Sequence, residues 1–344
     1  DPAGGATGIQ PTVQSSPPGP TTDVALRAVR EATEILSERD AAFTGRELEQ
    51  RARVLSLGEA SAREIDQAVR QLADQGELAE RMVLAIDGAT KKHTLQPGWT
   101  TKELIETEGS MLRHERQGRD AVLPLMNRPA AAFLVRETRT IAAEHGFAWT
   151  DGQIEATVDI LAATSRVIGL QGYAGTAKTT TVLATIAEAA RRHGYFVKGM
   201  APTTDATRTL GRAIGSEAVT VQKQVADLAM GRVITSARQP KELWIVDEAS
   251  LVGARSMTTL LAGAARQDAR VLLVGDEKQL GSVEAGRAFG QLQEAGMPTF
   301  RLTEIVRQTN AATKEAVHAA LQAHAGRALQ AIERGEGEVV AIKG

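Results

Sequence analysis

Apolar residues along this chain follow two rhythms, and the change of rhythm divides it. Val24 to Ser37 carries Leu26, Val29, Ala32 and Leu36 at helical spacing, which predicts a helix with one buried face. Thr44 with Glu47, and Ser61 with Glu64, are spaced as capping boxes that open two further helices. Ile65, Val69 and Leu72 continue the second as a stripe, and Gly76 turns the chain into a β-like run, Met82–Ile86. Helix, helix, turn and short β element is the order of a winged-helix module. The same pattern also reads as a helical adaptor with no nucleic-acid role. Residues 93–126 hold Thr100-Thr-Lys-Glu and then a helix of alternating charges, and Ala130–Gly146 is another helix.

Beyond Trp149 the rhythm changes. Val167–Leu170, Phe196–Met200, Leu243–Val246 and Val271–Val274 are short apolar runs, with helical patterns at Thr180–Arg192 and Thr207–Ile214 between them. Buried strands alternating with helices predict an α/β fold with a parallel sheet covered on both faces. Past Arg307 come an Ala-rich helical run to Glu333 and a last strand, Glu338–Ile342. The first 22 residues are rich in Pro, Gly, Ser and Thr and read as a flexible leader or linker. The expected division is therefore 1–22 leader, 23–90 winged-helix-like domain, 91–147 helical connection, 148–310 α/β lobe, and 311–344 the start of a following segment.

Composition narrows the chemistry. With 344 residues the chain can bury a sizeable core. Its net charge of −2 gives no global basic excess, so a nucleic-acid surface has to be local. There are no cysteines, which excludes disulfides and thiolate metal sites, and the six histidines form no metal-ligand spacing. No apolar run reaches the length of about 18 residues that a membrane helix needs, and a cytoplasmic protein is expected.

Candidate chemistry begins at GYAGTAKTT, Gly172–Thr180, directly after the first apolar strand. This is a nucleotide phosphate-binding loop: free N–H groups and the dipole at the helix start favour a triphosphate. Lys178 reaches the β- and γ-phosphates and the Thr179 hydroxyl ligates Mg2+. Gly172, Gly175 and Thr180 belong to the same cradle. The pattern asks for glycine where this chain has Ala177, a good helix former that costs little if it stands at the helix start. A competent site is therefore expected.

Four further segments point the same way. Leu243-Trp-Ile-Val-Asp-Glu ends an apolar strand in two carboxylates, Asp247 for Mg2+ and Glu248 to polarise the attacking water. Val274-Gly-Asp-Glu-Lys-Gln-Leu brings Gln279 to the γ-phosphate, or is an ordinary polar turn. Ala201-Pro-Thr-Thr offers Pro202, Thr203 and Thr204 to the phosphates of a single strand, a track that Thr220 and Lys223 extend. The alternative there is a proline turn with a threonine cap. Leu302-Thr-Glu-Ile-Val-Arg places Arg307 to sense the γ-phosphate, unless it is a salt-bridged structural arginine.

Taken in order, Gln153, GYAGTAKT, APTT, IVDEAS, GDEKQL and LTEIVRQ resemble the early motifs of RecD-like superfamily 1 helicases. The stretch from about Ser37 onward resembles the helicase region of conjugative relaxase–helicases of the TraI/TrwC type. That resemblance implies a RecA-like ATPase lobe using ATP and Mg2+, with Gln153 reading the adenine. It implies a 5′ to 3′ DNA motor acting on single-stranded DNA, with relaxosome proteins and a type IV secretion coupling protein as partners, and with possible passage to a recipient cell. The relaxase histidines and tyrosines and the later helicase motifs have no counterpart here. The expectation is a helicase segment that binds nucleotide without completing the two-lobed cleft. The alternative is a non-motor helicase-fold module, serving as a DNA clamp or a secretion-recognition surface.

Overall fold

In a computed structural model of the chain the described residues are 23–86, 93–144, 148–172, 178–232, 241–276, 287–302 and 330. They fall into two compact units, the first ending at Lys102 and the second running from Glu103 onward, with Glu38–Ala41 joined to the second.

The first unit contains α1 (Asp23–Arg39), β1 (Phe43–Thr44), α2 (Gly45–Leu55), α3 (Ala62–Asp74), β2 (Leu78–Ile86) and β3 (His93–Thr101). Its antiparallel sheet has the order β1-β3-β2. Both capping boxes form: Thr44 accepts the N–H of Glu47 and Ser61 that of Glu64, and each glutamate returns to the cap backbone. Ile65, Ala68, Val69 and Leu72 of α3 meet Ala25, Ala28, Val29 and Ala32 of α1 in one core with Phe43 and Leu48. The buried stripe of α1 is thus led by alanines, with Leu26 and Leu36 at its margin. This is the winged-helix order.

The expected boundary at residue 90 moves to Lys102, because β3 pairs with β2 along nine residues. Sequence reading missed β3 because Pro97 and Gly98 look like strand breakers. Gly98 is instead required: a Cβ there would stand 2.4 Å from the Phe43 carbonyl oxygen. The exposed face of α3 carries Arg63, Asp66, Arg70 and Asp74, with Arg70 paired to Asp66 at 2.9 Å. That mixture provides none of the basic excess a duplex-reading helix uses.

The second unit contains α4 (Lys102–Gln117), α5 (Arg128–Glu144), α6 (Asp151–Ala162), β4 (Val167–Gly172), α7 (Ala184–Arg192), β5 (Phe196–Ala201), α8 (Thr204–Ile214), β6 (Ala218–Thr220) and α9 (Val221–Ala229). It continues through β7 (Glu242–Val246), α10 (Ala254–Arg266), β8 (Arg270–Gly275), α11 (Ala288–Glu294) and β9 (Thr299–Leu302). The six strands lie in the order β6-β5-β7-β8-β4-β9, and every neighbouring pair is parallel.

Side chains alternate across the sheet and sort into two cores. Ile168, Leu170, Leu243, Ile245, Leu272 and Val274 pack under α5–α8. Val167, Trp244, Val246, Val271 and Leu273 pack on the other face with α9, α10 and α11. Each fully buried large side chain contributes about 1.5–3 kcal/mol. A sheet apolar on both faces therefore requires the helices that cover it. The four strands expected from apolar runs are all present. β6, α9, α10, α11 and β9 are added by the structure. The expected strand Glu338–Ile342 and, apart from Gln330, the Ala-rich run to Glu333 lie outside the described residues.

Candidate functional site

Parallel strands bring all their carboxyl ends to one edge, where ligands of such sheets bind. Reading across that edge, the chain presents Thr220, then Ala201-Pro202-Thr203, then Asp247-Glu248, then Gly275-Asp276, then Gly172. The register sets their heights: Ala201 pairs with Thr220, Val246 with Leu273, and Gln171 with Gly275.

Gly172 ends β4, and Lys178, Thr179 and Thr180 open a single π-type turn, Lys178–Leu183, that leads into α7. The contacts of those three side chains, and the residues Gly175 and Ala177, lie outside the described set. So do Gln279 and Arg307.

Asp247 stands two strand spacings from β4, about 10 Å. Its N–H continues the ladder to the Met200 carbonyl at 2.8 Å, and the side chain is half-buried. Its Oδ1 accepts the N–H of Glu248 at 3.0 Å, and the Leu251 N–H on the Glu248 carbonyl at 2.9 Å closes the tight turn that follows. Glu248 is exposed and holds φ 52° and ψ 39°, the left-handed region that a side chain normally avoids. Gly275 lies beneath this turn, where a Cβ would come within 3.1 Å of the Ser250 nitrogen and 2.9 Å of the Phe289 ring.

Among the described residues no group of three carboxylates, imidazoles or thiols could hold a metal by itself. One carboxylate and one hydroxyl, with phosphates and waters completing an octahedron, is the donor set Mg2+ prefers beside a nucleotide. Asp247 supplies one such carboxylate at the edge, and the Thr179 side chain lies outside the described set.

Gln153 is 2% exposed, on the first turn of α6; its Oε1 accepts the Thr150 N–H at 3.0 Å and its own N–H donates to the Thr150 hydroxyl. It thus completes the capping box of α6. Thr203 and Thr220 are the N-caps of α8 and α9, accepting from Ala206 and Lys223 at 3.2 Å each. Thr203 and Thr204 are exposed and Pro202 and Thr220 are half-buried. Capping uses an oxygen lone pair and leaves each hydroxyl proton to donate outward. Lys223 is ion-paired to Asp227 at 2.7 Å, which lowers the Asp227 pKa.

Two features of the edge were not anticipated. One is the left-handed Glu248, for which an isolated glutamate gives no signal. The other is a polar chain from Gln293 through Gln171 to Asp276. A cavity of about 570 Å³ is lined by Leu134, Ile141, Trp149, Thr181, Ala184 and Thr185, and neither Asp247 nor Glu248 is among its lining residues.

A strand entering a phosphate loop at a helix start, with a carboxylate-ended strand nearby in a parallel sheet, defines a nucleotide-binding P-loop α/β domain. Residues 148–342 match the family model described as an AAA domain, and the chain belongs to that family. Within it the relatives are conjugative and RecD-like helicase proteins. The multifunctional conjugation protein TraI of Escherichia coli (strain K12) is 31% identical over 66% of this chain and 12% of its own length. The ATP-dependent RecD2 DNA helicase of Deinococcus radiodurans is 42% identical over 42% of this chain and 20% of its own. Conjugal transfer protein TraA of Agrobacterium fabrum is 32% identical over 39% of this chain and 12% of its own. The chain thus spans a small part of each relative's length. It is a helicase-type P-loop motor domain related to TraI and RecD proteins. Among the described residues no helix is long and apolar enough to cross a membrane.

Proposed function

We propose that this chain carries the ATP-binding, strand-engaging lobe of a 5′ to 3′ DNA helicase that serves conjugative transfer. The observation that carries the reading is the shared edge: the phosphate-loop strand, the Asp247-Glu248 turn and the capped starts of α8 and α9 open on the same side of one sheet. In this reading Gly172, Gly175, Ala177 and Thr180 cradle the phosphates through backbone N–H groups. Lys178 binds the β- and γ-oxygens, and Gln153 meets the adenine. Thr179 and Asp247 hold Mg2+, which offsets phosphate charge when bound. Glu248 orients the attacking water and takes its proton, while Gln279 and Arg307 register the γ-phosphate.

Single-stranded DNA runs across the β5–β6 side of the edge. There Pro202, Thr203, Thr204 and Thr220 meet its phosphates with hydroxyls and helix-start N–H groups, which require no base readout. Relaxosome proteins and a type IV coupling protein are the partners this reading assigns to the whole protein.

ATP turnover measured with and without oligothymidylate, beside Lys178→Ala, is the test. Stimulation by the strand in the wild type, lost in the variant, is expected. Equal rates in the two proteins would sink the motor reading and leave strand binding without turnover.

A further inference from the structure

Gln224, the fourth residue of α9, is 1% exposed, yet neither its amide nitrogen nor its amide oxygen has a hydrogen-bond partner. Val221 and Leu228 flank it on the buried face of the helix and pack in one core with Trp244 and Val246. Leu228 lies so close to α10 that a Cβ on Gly263 would stand 2.7 Å from its methyl carbons. A leucine at 224 would continue that stripe. A buried amide without partners costs stability instead, so its presence calls for another reason.

A second apolar stripe lies beside the first. Val225 is half-buried and packs at the margin of the same core, so Val221, Val225 and Leu228 form an i, i+4, i+7 series with no polar member. At 3.6 residues per turn, positions four apart differ by about 40° around the helix axis. Rolling α9 by that angle centres the all-apolar stripe and carries Gln224 to the bearing that half-buried Thr220 has now. Helical side chains lean toward the N-terminus, which sets the amide over the first turn of α9, at the edge where strands end. The attachment of α9 permits the roll: it hangs from β6, three half-buried residues at the end of the strand order. The Lys223–Asp227 ion pair, one turn apart, supports the helix whichever face it buries.

We propose that α9 rolls when the edge takes single-stranded DNA, and that the Gln224 Nε2 then donates to a phosphate oxygen of the strand. Only the rolled helix offers this contact, which supplies the differential affinity that any such shift needs. The inference rests on the strand reading above and adds to it a binding group and a moving element.

Anisotropy of a labelled oligothymidylate, at two salt concentrations, and hydrogen exchange of α9 test it on the full chain. Gln224→Met keeps the length of the side chain and removes both amide groups. It is expected to lose about tenfold in strand affinity, as for one hydrogen bond to a charged group. The factor should be the same at both salt concentrations, because no charge is removed. In the absence of DNA, exchange of α9 should be slower in this variant than in the wild type. Val225→Thr places a hydroxyl in the second stripe and should lose about threefold in strand affinity with Gln224 intact.

Strand affinity unchanged in Gln224→Met overturns the proposal, and so does exchange of α9 that the substitution does not slow. Affinity unchanged in Val225→Thr overturns the roll. In each of these cases the wild type still binds the strand, so the strand reading stands. A wild type that binds no oligothymidylate removes that reading, and the proposal with it.

Discussion

The two edges of the six-stranded sheet are made by the same strands and helices, yet they are finished in opposite ways. At the edge where strands begin, helices end and present carbonyl oxygens, and arginines meet them. Arg270 donates to Ala163 past α6 and to Leu123, both at 2.7 Å. Arg166 donates to Ala269 past α10, Arg119 to Ala295 past α11, and Arg191 to Ile214 at the end of α8. Cations at helix ends are what the dipole favours, and here they are the chain's own. At the edge where strands end, helices start. Threonines cap α8 and α9, Asp205 stands exposed in the first turn of α8, and Asp247 and Glu248 form a strained turn between strands. One edge satisfies its dipoles internally. The other ends in capping threonines and helix starts, the donors on which the proposed phosphate contacts rest.

The largest expected effect follows from breaking the closed edge. Arg270 is 2% exposed; burial pushes its pKa down, with Tyr195 working the other way. Its Nε has no partner, and the guanidinium is held by the Leu123, Ala163 and Ser165 carbonyls together with the Tyr195 hydroxyl. Arg270→Met fills similar volume but strands those carbonyls, and a loss of about 3 kcal/mol in urea unfolding is expected. Nucleotide affinity of the folded fraction should not change. A variant as stable as the wild type would show that the arginine contributes nothing to closing this edge.

The same contrast explains what could be read from the chain beforehand. β4, β7 and β8 were legible because uninterrupted apolar runs bounded by turns leave few alternatives. Strand β3 was hidden by Pro97 and Gly98, whose fit depends on Phe43 more than fifty residues earlier. Thr203 was read as a phosphate contact or a cap and Thr220 as an extension of the phosphate track; both are now seen to cap helices, while the phosphate contacts remain part of the proposal. Gln171 and Asp276 stand 105 positions apart, and nothing local announces their hydrogen bond. Local rules found the elements. The joints between elements depend on distant partners and needed the fold.

Glu248 sharpens the open edge from the other direction. A left-handed residue with a side chain costs roughly 1–2 kcal/mol, part of which glycine returns through the entropy of its unfolded chain. Glu248→Gly should therefore raise stability by about 1 kcal/mol in urea unfolding while keeping nucleotide binding and losing any ATP turnover. Glu248→Gln should lose turnover with no gain in stability. If the glycine variant is no more stable than the glutamine variant, the strain at φ 52° is not stored at this turn.

Thr203 gives the smallest effect on stability and separates the two duties of a threonine at the open edge. Thr203→Ala removes the oxygen that accepts the Ala206 N–H, and at an exposed cap the expected loss is about 0.5–1 kcal/mol. Thr203→Asp restores an acceptor of equal capping strength, with a charge the helix start favours, so unfolding should match the wild type. Phosphate binding should follow the opposite order. Alanine removes one hydroxyl donor and weakens single-strand binding modestly, whereas aspartate adds repulsion and weakens it further. Rising salt should narrow the gap between the aspartate variant and the wild type, because the repulsion is screened within about 10 Å at 0.1 M. Fluorescence anisotropy with a labelled oligothymidylate, at two salt concentrations, reads both orders on the same proteins. If strand affinity simply tracks stability across the three proteins, Thr203 is a cap alone, and the strand does not pass over the start of α8.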